Sequence, residues 1–198
     1  MKKILILLFV LFLSAEVSYG QFAFGLKLGY NASKLHTSLD SVKSSFGSGF
    51  HVGAFARIGK KVYLQPELYY TLQGSVFTSN ISNWKQKITI GTLDIPVLVG
   101  FKIIDLKAVN WRIMAGPMAS FIVNSKIKNV NSAINPVTSA DLQKTNWYIQ
   151  AGTGVDFLFL TFDVRYQLGL NNMIKDAAKA TFNAKNNLWV VSLGFKIL

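Results

Sequence analysis

The chain has 198 residues, no cysteine, 51% hydrophobic and 13% aromatic residues, and a formal net charge of +12 with a pI near 9.9. Without cysteine there is no disulfide framework, no thiolate nucleophile and no thiolate metal site. Mean hydropathy is positive at +0.32, yet beyond the first twenty residues no apolar run reaches the roughly 18 residues that a membrane helix needs.

Lys2 and Lys3 precede an apolar stretch from Ile4 to Leu13, and Ser18-Tyr19-Gly20 supplies small residues at the two positions that direct cleavage. That is the pattern of a secretory leader, too short to span a bilayer. Residues 1–20 are read as a signal peptide cleaved before Gln21, and residues 21–198 as one β-barrel domain. Removing Lys2, Lys3 and Glu16 takes the net charge from +12 to +11. Export also separates this basic chain from nucleic acid, so the pI does not predict a nucleic-acid partner.

Eight segments of the mature chain carry strand patterning, at about 22–31, 47–58, 61–74, 86–102, 110–124, 146–157, 160–170 and 187–198. Apolar side chains alternate with small, polar or charged ones, which gives each strand one greasy face. Phe22, Phe24, Leu26, Leu28 and Tyr30 lie on that face in the first segment, and Trp189, Val191, Leu193, Phe195 and Ile197 in the last. No position of the set is charged, and a soluble β-sandwich or lipocalin-like barrel exposing such a band would aggregate. Connections alternate between brief turns (58–60, 104–109, 158–159) and long segments (32–46, 75–85, 125–145, 171–186) rich in Asn, Ser, Lys and Ala. The expected fold is all-β: an eight-stranded antiparallel up-and-down transmembrane barrel in the bacterial outer membrane, with short periplasmic turns and long extracellular loops. Tyr30, Trp147 and Trp189 mark one aromatic girdle, and Phe101, Trp111 and Phe157 the other.

The opposite face brings Lys27, His51, Arg57, Glu67, Asp94, Arg112, Asp156, Asp163, Arg165 and Lys196 into the lumen. An eight-stranded barrel is just wide enough to be filled by its own side chains, so these charges must pair into a plug. A two-residue turn at Leu158-Phe159 would set Gly154 opposite Asp163 and Gly152 opposite Arg165, small facing large. The glycines relieve crowding, since no helix follows them and no lysine stands at the spacing of a phosphate loop. Two irregularities are expected. The apolar phase of the fourth segment switches at Gly91 to Leu93, which a β-bulge there would repair. Pro66 and Pro96 interrupt strands that are not at an edge.

Phe24-Gly25-Leu26-Lys27-Leu28-Gly29-Tyr30-Asn31, Leu64-Gln65-Pro66-Glu67-Leu68-Tyr69-Tyr70, Leu93-Asp94-Ile95-Pro96-Val97-Leu98, Ala115-Gly116-Pro117 and Asp163-Val164-Arg165-Tyr166 resemble the PorT-type outer-membrane β-barrel family of Bacteroidota. The match runs along essentially the whole mature chain. The resemblance implies an eight-stranded barrel and, for some members of that family, a part in protein secretion across the outer membrane. The final strand departs from the usual barrel signal: its outward set ends at Ile197, where an outward aromatic at the last residue is the rule.

Enzymatic chemistry in such a barrel, as in lipid A-modifying enzymes, needs a histidine beside a serine nucleophile or a carboxylate. Only His36 and His51 are present. Pairing Arg57 with Lys61 across the first turn would place His51 opposite Glu67, an arrangement that is more often an interior hydrogen bond than a general base. The candidate serines are assigned to loops. No catalytic, cofactor or metal residue is assigned, and the chain is read as a non-enzymatic structural or surface-interaction protein, with an accessory role in secretion as the alternative. Its extracellular rim carries Lys126, Lys128, Lys144, Lys175, Lys179 and Lys185, with Lys34, Lys43, Lys85 and Lys87 nearby and few acids, which suits the phosphates of lipopolysaccharide. Expected partners are outer-membrane lipid, lipopolysaccharide and possible envelope or secretion proteins, around a monomer. Residues 173–182 have helix-forming composition.

Overall fold

A computed structural model of the chain describes residues 22–36, 42–44, 47–79, 85–106, 108–129, 144–171 and 185–197. Its strands are β1 (Phe22–His36), β2 (Val42–Ser44), β3 (Gly47–Gly59), β4 (Val62–Ser79), β5 (Lys85–Asp105), β6 (Val109–Asn129), β7 (Thr145–Phe157), β8 (Leu160–Gly169) and β9 (Lys185–Lys196). Every neighbouring pair is antiparallel, and β4 pairs with β5 to close the sheet on itself. The short β2 pairs with the outer end of β4 beyond the last β3 pair, so it prolongs one stave and the barrel keeps eight.

All eight expected strands are present, and six reach further into the long-loop end than alternation alone indicates, most of all β1, β4 and β6. The extensions include polar residues such as Thr78 and Lys126, and polar sequence hides a strand from a pattern of greasy alternation. At the other end the β7–β8 turn falls at Leu158-Phe159, with Leu158 at a φ of 52°, and Gly154 pairs with Asp163, Gly152 with Arg165 and Ala151 with Tyr166.

The first turn differs from expectation. Gly59, at a φ of 126°, pairs with Tyr63, so the chain reverses around Lys60 and Lys61. A left-handed glycine lets the reversal close there without strain, two residues further along the chain than the expected pairing of Arg57 with Lys61. The register moves accordingly: His51 lies opposite Thr71, and Glu67 opposite Phe55. The expected His51–Glu67 pair does not exist.

The irregularity falls where expected, between Gly91 and Thr92, but the extra residue is on the neighbouring strand. Ile90, Thr92, Asp94, Pro96, Leu98 and Lys102 are all buried, so β5 keeps one inward phase. The extra residue is Val123 on the neighbouring β6, between the pairs Gly91–Asn124 and Thr92–Ile122. The apparent phase switch arose because Ile90, though apolar, faces the lumen. A second shift leaves Ile103 unpaired beside the β5–β6 turn. Pro66 sits where the β3–β4 ladder is interrupted, between Phe55–Glu67 and Ile58–Leu64, as expected of a residue without an N–H.

The outward face is apolar and exposed: Leu26, Leu28, Val52, Leu68, Leu72, Val99, Phe162 and Leu193 all lie on it. Among the described residues no helix is long and apolar enough to cross a membrane, so the strands are the elements that can. Tyr30, Trp147 and Trp189 are exposed toward the long-loop end, Phe101, Trp111 and Phe157 toward the turn end.

Candidate functional site

The lumen is built from the turn end outward in layers. Nearest the turns, Asp156 of β7 accepts from Arg57 Nη1 at 2.6 Å and from Arg112 Nε at 3.1 Å, with Lys196 Nζ 3.6 Å away. One layer up, Asp163 of β8 accepts from Lys27 Nζ at 2.6 Å, from Arg165 Nη2 at 3.2 Å and from Arg112 Nη2. Glu67 of β4 lies on the far wall and takes Lys27 Nζ at 2.8 Å and Arg165 Nη1 at 2.6 Å, along with Gln65 Nε2 at 2.6 Å. Lys27 and Arg165 thus each bridge Glu67 and Asp163, and Arg112 bridges Asp163 and Asp156. Lys27 also stands 4.6 Å from the centre of the Phe55 ring, and Arg57 4.9 Å from that of Tyr63, both within cation–π reach.

Strand glycines make the space for this. A Cβ on Gly154 would fall on the Asp163 carboxylate and within 2.6 Å of Arg112 Nη1, and one on Gly152 within 2.7 Å of Arg165 Cγ. Crowding in the lumen, and not phosphate binding, accounts for the Gly-x-Gly pattern.

Asp94 stands apart. Its carboxylate meets hydroxyls, Thr71 Oγ1 at 2.6 Å and Ser120 Oγ, rather than cations. Nearby, Met118, Tyr148, Leu188 and Val190 form a buried apolar layer. Gln167 and Gln150, 3.2 Å apart, join the two zones.

His51 lies between zones. One ring nitrogen, Nδ1, is 2.8 Å from Asn31 Oδ1, the other, Nε2, 3.0 Å from Ser192 Oγ, and the ring packs on Tyr69 at 5.0 Å between centres. Serine, histidine and amide stand in the order of a nucleophile, base and orienting group. This corrects the assignment of candidate serines to loops, since Ser192 is in β9. The constellation is walled in, however: Asn31, His51 and Ser192 are each 5% exposed or less. A Cβ added at Gly29 would lie 2.6 Å from His51 Nε2, so the β1 backbone closes on the ring from that side. The arrangement is an interior hydrogen-bond chain that satisfies three buried polar groups.

Lys102 was missed as an interior cation; it is 5% exposed and lies 3.3 Å from Asp105. Counting by twos from Asp94 along β5 reaches it, so the signal was present. Among the described residues no group of three or more His, Cys, Asp or Glu is placed to hold a metal ion.

Of the predicted rim lysines, Lys144 is exposed at the start of β7, and Lys126, Lys128 and Lys185 fall in the outer ends of β6 and β9. Lys175 and Lys179, the stretch 173–182 and the leader 1–20 lie outside the described residues.

Sequence comparison matches residues 14–175 to the family described as outer membrane protein beta-barrel domain. A comparison with curated proteins returns no match. Among solved structures the chain is similar to Neisserial surface protein A (NspA), at 14% identity and a TM-score of 0.51 over 87% of this chain and 96% of that one. It is also similar to the attachment invasion locus protein Ail of Yersinia pestis, solved with the heparin analogue sucrose octasulfate, at 12% identity and a TM-score of 0.46 over 89% and 99% of the two chains. The NspA likeness is one of fold.

Proposed function

Because the chain belongs to the outer membrane protein beta-barrel domain family and so resides in the outer membrane, we propose that it is a non-enzymatic surface-interaction protein whose basic extracellular rim binds anionic lipopolysaccharide. The observation that carries this reading is the register of the strand extensions. Lys87 pairs with Lys128, and Thr89 with Lys126, in the outer ladder of β5 and β6, with Lys85 opposite Thr78 on β4. The register thus gathers lysines at the outer ends of neighbouring strands, and a local excess of positive charge attracts phosphate. The middle of the lumen is crossed by ion pairs among Lys27, Glu67, Arg112, Asp163 and Arg165, which supports anchoring over conduction.

Two measurements test the reading. Purified protein in planar bilayers should show no large, steady single-channel conductance, because an eight-stranded barrel is just wide enough for its own side chains and ion pairs from Glu67 to Asp163 cross this one; steady channels would overturn the plug. Lipopolysaccharide binding should weaken markedly between low and high salt and fall when Lys126, Lys128 and Lys144 are changed together to Gln. Affinity insensitive to both changes would leave these lysines as ordinary solvated residues.

The resemblance to PorT-type barrels supports a second reading, an accessory part in protein secretion. Unaltered secretion in a deletion strain, with no secretion subunit recovered alongside the solubilised barrel, would eliminate it. Residues 1–20 are proposed as the leader, and N-terminal sequencing of the mature protein should begin at Gln21.

A further inference from the structure

At the short-turn mouth the barrel opens into a cavity of about 540 Å3. Arg57, Lys102 and Lys196 line it from three different strands, with Asp156 at its floor and Asn110 on its wall. Charge is unbalanced there. Among the described residues six cations serve the lumen, Lys27, Arg57, Lys102, Arg112, Arg165 and Lys196, against five carboxylates, Glu67, Asp94, Asp156, Asp163 and, at the mouth, Asp105, which pairs with Lys102. Asp94 is held by hydroxyls, while Glu67 and Asp163 are enclosed by Lys27, Arg112 and Arg165. Asp156 alone is left for Arg57 and Lys196, and it already shares Arg112.

The surplus is visible in single atoms. Arg57 is 4% exposed, yet its Nη2 has no hydrogen-bond partner, and Asn110 Oδ1 is a buried acceptor without a donor. A buried guanidinium N–H and a buried carbonyl oxygen, both on residues that line one cavity, are groups that a ligand drawn into it would satisfy.

The geometry points to an anion-binding site at the periplasmic mouth, taking the phosphate of an organic phosphate on Arg57 and Lys196, with Lys102 beside it. A tetrahedral phosphate presents oxygens in several directions, which suits cations converging from β3, β5 and β9 better than a planar carboxylate does. Asn110 Oδ1 is placed to accept from a hydroxyl on or beside the phosphate. Phe22, Leu158, Phe159 and Ile197, each roughly half exposed, form the apolar part of the lining and suit the carbon skeleton of the ester. A phospholipid headgroup of the inner leaflet and a soluble phosphomonoester share this chemistry. The site is at the opposite end of the barrel from the lysine rim, and stands whether or not the rim binds lipopolysaccharide.

The test uses the full mature chain folded in phosphate-free maltoside micelles, titrated separately with inorganic phosphate, glycerol 3-phosphate and dihexanoyl phosphatidylglycerol, read by phosphorus NMR and calorimetry. At least one probe is expected to bind at one per barrel, and Lys196→Gln to weaken it tenfold or more. The combined Gln variant of Lys126, Lys128 and Lys144 should shift it by less than twofold. Binding of glycerol 3-phosphate as tight as that of the lipid assigns a soluble phosphate; binding of the lipid alone assigns the headgroup. If heat-modified gel mobility shows that Lys196→Gln does not fold, Lys102→Gln takes its place with the same expected loss. Failure of all three probes to bind overturns the site, as does affinity unchanged in the folded mouth variant or lost only in the rim variant.

Discussion

Replacing Asp163 with Ala should destabilise the folded barrel by about 3–5 kcal/mol, the usual cost of stripping one partner from a buried charge cluster. Asp163 is fully buried and receives Lys27, Arg112 and Arg165. Lys27 and Arg165 retain Glu67, and Arg112 retains Asp156, but three cations would then share two carboxylates inside a lumen that already holds more cations than carboxylates. The positive charge left behind has no water to turn to. Asp163→Asn keeps the shape and an acceptor while removing the charge, so it should recover part of the loss. Urea unfolding in lipid vesicles, followed by the fluorescence of Trp111, Trp147 and Trp189 at the barrel surface, would measure both. A loss for the Ala variant within about 0.5 kcal/mol, the range of ordinary surface substitutions, would show that the cluster is hydrated and the lumen is not a dry plug.

The same cluster shows what could be read from the residues alone. Alternation placed Lys27, Glu67, Asp163 and Arg165 on the inner face, because a period of two leaves each side chain only two choices and the greasy set fixed which was which. The β7–β8 register followed from a two-residue turn, since Leu158 and Phe159 leave no slack. Partners across the barrel were another matter. That Lys27 bridges Glu67 and Asp163 depends on strand stagger around a closed sheet, and stagger is set by every turn at once. Pairing Arg57 with Lys61 centres the reversal two residues too early, and that displacement passes directly into the His51–Glu67 pair.

Burial of apolar residues on the inner face was the second gap. Leu188, Val190, Leu98 and Ile90 continue the inward phase of Ser192 and Asp94, yet their chemistry matches the lipid-facing set. A strand apolar on both faces carries no phase signal, so the apolar layer of the lumen and the placing of the extra residue at Val123 were both invisible. The structure adds the third dimension there: Leu188 and Val190 meet Met118 and Tyr148 inside the barrel.

Leu193→Arg should cost about 2–4 kcal/mol if the position lies near the bilayer midplane, where a guanidinium meets hydrocarbon instead of water. Leu193 projects outward midway along the β8–β9 ladder, opposite Phe162 and beside Leu28 of β1, with 48% of its surface exposed. Exposure is the reason the substitution is informative: the side chain packs on few protein atoms, so replacing it creates no cavity and clashes with nothing. In detergent the loss should shrink, because micelles let the arginine snorkel to a polar interface more readily than a bilayer does. Val164→Arg, outward on β8 between Thr153 and Val191, tests the same belt one strand over. The inward neighbour gives the opposite control: Ser192→Arg places a cation beside His51 in the crowded lumen and should fail to fold in either medium. Equal stability of parent and Leu193→Arg in lipid, measured by urea unfolding in vesicles of defined thickness, would mean that the greasy face does not meet the membrane core at that level.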